Sequence, residues 1–131
     1  MIQAVADTHT VIWYIFQDSR LSRTAFNVIE KAASQGNQIA VSAITLAEIV
    51  YLSERDRIPQ DTLIRLLSAL DDSVLVEAPF DRMIAEAMQR VTREEIPEFA
   101  DRMISATALH LGVPVITRDR KIEASTIVTI W

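Results

Sequence analysis

Ile2-Gln3-Ala4-Val5-Ala6-Asp7-Thr8-His9 is the stretch on which the fold turns. From Ile2 to Ala6 nothing is charged, and the apolar pattern is continuous rather than alternating. A strand buried on both faces reads this way, and such strands belong to parallel sheets covered by helices. Asp7 then stands at the strand's C-terminal end, where a helix carrying Val11, Ile12, Trp13 and Ile15 begins. In an open parallel sheet, ligands lie outside the C-terminal ends of the strands. One short stretch therefore predicts a sheet type and the edge on which a site would sit.

The same alternation continues outward from it. Asp18-Ser19-Arg20 breaks the first helix. Ser22 caps the second, whose inner face reads as Ala25, Phe26, Ile29 and Ala33, and Gly36-Asn37 stops it. Gln38 to Ser42 is a second strand, and Ser42 caps a helix from Ala43 to Ser53 in which Glu48 is the single charge. Pro59 opens a helix striped by Leu63, Leu66, Leu67 and Leu70; Val74 to Val76 is a third strand. Pro79 opens another helix, with Phe80, Ile84, Ala87 and Val91 inward. Pro97 opens the next, with Phe99, Ile104, Ala108 and Leu111 as its buried face. Gly112 ends it, Val113 to Ile116 is a fourth strand, and Thr126 to Ile130 a fifth. Helices and short buried strands in turn predict an α/β fold: a three-layer α/β/α sandwich on a mainly parallel sheet of about five strands. With no linker or repeat, residues 1–131 read as a single domain.

Composition removes several function classes. Half the residues are hydrophobic, enough for a sizeable core. The absence of cysteine excludes a disulfide scaffold, a thiolate zinc site and a cysteine nucleophile. No long apolar run and no basic leader are present, so neither a membrane helix nor a signal peptide is expected, and the expected location is cytoplasmic. Gly36 and Gly112 are the only glycines, too few for a glycine-rich phosphate loop. A net charge of -5 argues against a simple electrostatic nucleic-acid binder. A local basic patch, or divalent cations that invert the sign of an acidic site, would still permit one.

Four carboxylates fall where such cations would bind. Asp7 and Asp119 follow the first and fourth strands, Glu48 lies two turns into the helix after the second, and Asp101 enters the first turn of the helix that begins near Pro97. Each has an ordinary reading. Asp7 could cap a helix, Asp119 could form a turn, Asp101 could complement a helix dipole, and Glu48 could pair with Arg55. Gathered at one sheet edge, they would repel one another unless a cation neutralised them. Hard oxygen ligands without cysteine select Mg²⁺ or Mn²⁺, and two such ions activate a water and stabilise a leaving oxygen in phosphodiester hydrolysis.

Read together, these segments resemble the PIN-domain ribonucleases, most closely the VapC-type toxins of bacterial or archaeal toxin–antitoxin pairs. The resemblance rests on Asp7-Thr8-His9 with Trp13, Ser42-Ala43-Ile44-Thr45-Leu46-Ala47-Glu48, Asp101-Arg102-Met103-Ile104-Ser105-Ala106-Thr107-Ala108, and Thr117-Arg118-Asp119. It runs in order over essentially the whole chain. It implies that Asp7, Glu48, Asp101 and Asp119 are both the catalytic and the metal-binding residues, using Mg²⁺ or Mn²⁺ to hydrolyse RNA. It implies Thr117 in support, a homodimer, and an antitoxin protein whose arginine pairs with the carboxylates. Arg102, Arg118, Arg120 and Lys121 flank the acids and read either as an RNA-contacting rim or as solvated charges.

Trp13, Met83, Met88 and Met103 read as core, and His9 and His110 as surface residues. Other classes fit less well. A haloacid-dehalogenase-like phosphatase needs a second aspartate two residues after the first, where His9 stands. A receiver domain wants paired acids after the first strand and a lysine after the last, where only Trp131 follows. The alternative that survives is a non-catalytic PIN-like module that binds RNA or a protein.

Overall fold

The strand that opens the chain lies in the middle of the sheet. In the computed structural model, which describes residues 1–131, β1 (Ile2–Ala6) is flanked by β2 (Gln38–Ser42) and β4 (Val115–Ile116). β3 (Leu75–Ala78) and β5 (Thr129–Ile130) lie outside these, giving the order β3-β2-β1-β4-β5. Every pairing is parallel, with Val5 opposite Ala40 and Val115, and Ala6 opposite Val41 and Ile116.

The pleat explains why β1 shows no polar face. Ala4 and Ala6, with Ile39, Val41 and Ile116, belong to one apolar cluster. Their neighbours Val5, Ala40 and Val115 belong to a second cluster on the other face. Successive side chains point to opposite faces, so a strand covered on both sides must be apolar at every position. The first face is covered by α1 (Thr8–Ile15), α2 (Arg23–Ser34), α3 (Ala43–Glu54) and α4 (Thr62–Asp72), through Val11, Ile12, Trp13, Ala25, Ile29, Ile49 and Leu66. The second is covered by α5 (Arg82–Ala87), a 3-10 turn at Met88–Arg90, α6 (Phe99–Leu111) and α7 (Arg120–Glu123), through Ile84, Ala87, Ile104, Ala106, Ala108 and Ile122. The expected three layers and parallel five-stranded sheet are present.

Several details differ from expectation. The helices expected to open at Pro59, Pro79 and Pro97 begin at Thr62, Arg82 and Phe99. Each proline instead stiffens the approach, and Asp81 caps α5 by accepting from the Ile84 N–H at 3.1 Å. β4 and β5 are shorter than read, because only two residues of each pair with a neighbour. On α2 the buried residue is Ala32, not Ala33, and Phe26 is exposed beside Tyr14. Leu67, Met83, Phe99 and Leu111 are exposed too, lying off the stripe that meets the sheet. α7 went unread, since four residues are too few to show a helical period. Gly112 closes α6 in the left-handed conformation at φ +69°, as its position predicts. No helix is long and apolar enough to cross a membrane.

Candidate active site

The sheet reverses its order of growth at β1, with β2 and β3 on one side and β4 and β5 on the other. The chain leaving β1 turns into α1 on one face, and the chain leaving β4 turns into α7 on the other. Where two such connections part, a crevice opens at the C-terminal edge of the sheet. Asp7 and Thr117 are the residues at its two lips.

Asp7 is buried and fully engaged on both oxygens. Its Oδ1 accepts from the Thr10 N–H at 3.0 Å, which caps α1. Its Oδ2 accepts from the Thr117 hydroxyl across the crevice. Thr117 Oγ1 in turn accepts from the Asp119 N–H at 2.9 Å. Asp119 Oδ1 accepts from the Lys121 and Ile122 N–H groups at 2.8 and 3.0 Å, capping α7. The capping reading of Asp7 is thus correct, Asp119 caps a helix where a turn was expected, and capping is what fixes both carboxylates at the crevice. A second threonine serves Glu48. The Thr8 hydroxyl donates to Glu48 Oε1 and lies 3.1 Å from Thr45 Oγ1, which ties α1 to α3.

Electrostatics join these groups to Asp101. Burial is the main cause that pushes its carboxyl up to about 7, and the charges of Asp119, Glu98, Glu48 and Asp7 add to it, in that order. Glu48 is raised as well, chiefly by burial; the Thr8 bond and His9 oppose that, and Asp7 and Glu98 reinforce it. The four expected carboxylates therefore lie within range of one another's charge. They do not touch: no three His, Asp or Glu side chains form a ready cage for an ion. Mutual repulsion, the smaller contribution to the raised pKa values, keeps uncompensated carboxylates apart.

The donor set suits a hard divalent cation. It is all oxygen, it lacks a neutralising cation of its own, and three of its members are already oriented by hydrogen bonds. Ser105, one helical turn after Asp101 and so on its face, also has a buried hydroxyl without a hydrogen-bond partner. Glu98 is a fifth carboxylate that the sequence reading missed. Thr8, the partner of Glu48, has no role that the sequence alone reveals. Glu98 is exposed at the start of α6, one helical turn ahead of Asp101, a spacing that could have found it.

The basic residues divide. Arg118, Arg120 and Lys121 are exposed beside Asp119. Arg102 does not join them, which corrects the expected rim. Its Nε and one terminal nitrogen donate to the Val91 and Met88 carbonyls at 2.9 and 3.0 Å, clamping the 3-10 turn to α6. One residue along a helix is a rotation of about 100°, so Arg102 points away from its neighbour Asp101. A groove of about 1160 Å³ lies elsewhere, between α1, α2 and α4, lined in part by Tyr14, Phe26, Ile64 and Arg65.

Comparison with known proteins identifies the family. The PIN domain family model matches residues 4–125. Over 136 aligned residues the chain is 29% identical to Ribonuclease VapC22 of Mycobacterium tuberculosis, covering 100% of each. Its fold is similar to that of DNA-bound VapBC from Salmonella typhimurium, with a TM-score of 0.73 and 22% identity over 98% of this chain and 96% of that one. A toxin-antitoxin complex from Klebsiella pneumoniae gives a TM-score of 0.68 and 25% identity over 98% of this chain and 97% of that one.

Proposed function

The chain belongs to the PIN domain family, and on that premise we propose that it is a metal-dependent endoribonuclease that hydrolyses RNA phosphodiester bonds. The observation that carries this reading is the crowding of carboxylates at the switch point of the sheet, felt most at Asp101. The similarity to a ribonuclease along the full chain supports it.

In this reading Asp7, Glu48, Asp101 and Asp119 hold Mg²⁺ or Mn²⁺. A bound ion of this kind supplies a water of lowered pKa and stabilises the leaving oxygen. The chain's own groups prepare the site. Thr117 and the Thr10 N–H fix Asp7, Thr8 fixes Glu48, and the α7 backbone fixes one oxygen of Asp119, leaving the other free to ligate. Asp101, its carboxyl raised to about 7, is the member that still carries a proton near neutral pH and would release it on binding a cation. Arg118, Arg120 and Lys121 are placed to meet the phosphate backbone and so offset the net charge of -5.

We infer further that residues 1–131 act as one such domain, as the toxin of a VapBC-type pair. The solved complexes of similar fold contain toxin and antitoxin, and the antitoxin would be this chain's protein partner. A homodimer in the cytoplasm completes the reading.

The test is incubation of total RNA with purified protein and Mg²⁺ or Mn²⁺, beside Asp101→Asn and an EDTA control. Discrete fragments that vanish in both controls are expected. A folded protein that binds the cation and RNA yet cuts nothing would leave the non-catalytic module instead.

A further inference from the structure

Trp13 lies six residues after Asp7 on α1, 5% exposed. Two rings brace it: the His9 centroid is 5.6 Å away and the Trp131 centroid 5.8 Å away. Two guanidinium groups lie against it as well, with Arg118 4.7 Å and Arg20 5.2 Å from the ring centroid. The two arginines are otherwise held very differently. Arg20 grips Asp18 with two bonds of 2.7 and 3.0 Å, so its charge is matched. Arg118 is in neither of the chain's ion pairs, which are Arg20–Asp18 and Arg65–Asp61.

That freedom of Arg118 needs a cause. It stands between Thr117, bonded to Asp7, and Asp119, both at the carboxylate crevice. A flexible arginine beside several carboxylates is expected to fold onto them and neutralise them. Stacking on an aromatic face is the competing attraction, and guanidinium planes suit it. The ring is rigid because it is buried and braced, so it can hold the arginine away from the acids. The result is an unneutralised, pre-ordered cation at the lip of an acidic site.

We propose that Trp13 is a positioning residue that keeps Arg118 off the carboxylates and poised at the rim, where its guanidinium grips an RNA phosphate beside the scissile one. The proposal rests on the ribonuclease reading. It adds which cation meets the strand and why that cation does not block the site. Because Arg118 is already ordered, binding loses less side-chain freedom than a swinging arginine would.

The test uses a fluorescein-labelled single-stranded RNA of mixed sequence, with the full chain carrying Asp101→Asn so that nothing is cut. Affinity is read by anisotropy across salt concentrations, and Mn²⁺ affinity by calorimetry. Adding Arg118→Ala should weaken RNA binding about fivefold to tenfold and lower the salt slope by about 0.7, the loss of one phosphate contact on a single strand. Arg57→Ala, in the exposed turn after α3, supplies the comparison for a lost surface charge. Trp13→Leu, with the cognate Asp101 restored, should weaken Mn²⁺ binding as Arg118 falls onto the acids. Adding Arg118→Ala to it should restore that binding, which a merely structural role for Trp13 would not do. Trp13→Phe keeps an aromatic face and should stay near the parent in both assays. Equal RNA affinity and slope for Arg118→Ala and Arg57→Ala would overturn the proposal, even if Trp13→Leu failed to fold. Cleavage by the unmodified protein, run alongside, separates the two ideas: cutting with an unmoved Arg118→Ala sinks only the inference, and an RNA neither bound nor cut sinks both.

Discussion

At the scale of single residues, Asp101 sets a pH dependence. Its carboxyl is held at about 7 in the folded chain, against 3.8 for an unperturbed aspartate. The folded state therefore keeps the proton more tightly than the unfolded one. For a carboxylate raised in this way, the fold is favoured at low pH and loses stability as pH rises from about 4 to about 7. Asp101→Asn removes the charge and with it the penalty. Without metal it should be more stable than wild type by about 1–2 kcal/mol at pH 8, once solvent screening of a partly buried group is allowed for. At pH 4 the two should match. Thermal melts in EDTA at both values check this, and an equal gap at both would show that the carboxylates are not crowded. Thr117→Val makes a second prediction. It strips Asp7 Oδ2 of its donor and the Asp119 N–H of its acceptor. The cost should be about 1–3 kcal/mol in a urea titration, with Thr117→Ser recovering most of it.

At the scale of elements, the correction of Arg102 makes the sharpest prediction. Two bonds from its guanidinium to the Met88 and Val91 carbonyls join the 3-10 turn to α6. Arg102→Met should cost about 1–3 kcal/mol in urea while RNA affinity stays at the wild-type value; a loss of affinity at unchanged stability would return Arg102 to the rim. The same residue shows where a sequence is legible and where it is not. Continuous apolar runs revealed β1 and β2, and their position ahead of Asp7 and Glu48 revealed the site edge. Hydrogen bonds between elements had no such signature. That Thr8 serves Glu48 and that Thr117 spans to Asp7 follow from sheet order, which apolar patterning does not encode. Phe99 keeps step with Ile104 and Ala108, which predicts a core position, yet it is 67% exposed since α6 begins beyond the edge of the second core. Glu98 is marked by its spacing alone, one helical turn ahead of Asp101, since its residue type matches the other glutamates ahead of α6.

At the scale of the molecule, the acidic crevice couples stability to cations. A ligand that binds only the folded state at about 100 times its Kd adds about 2.7 kcal/mol. Mn²⁺ should therefore raise the melting temperature of the wild type at pH 8 and leave that of an Asp7→Asn, Asp119→Asn double variant nearly unmoved; equal rises would place the ion elsewhere. The order of the strands has a consequence in time as well. The bond between Thr117 and Asp7 spans 110 residues, and the central strand gains its β4 neighbour only near the end of the sequence. Contacts of such long reach form slowly. At about 5–20 residues per second of synthesis, the first lip of the crevice exists for several seconds before the second is made. A nascent chain therefore carries no complete carboxylate crevice until the segment bearing Thr117 and Asp119 has been made.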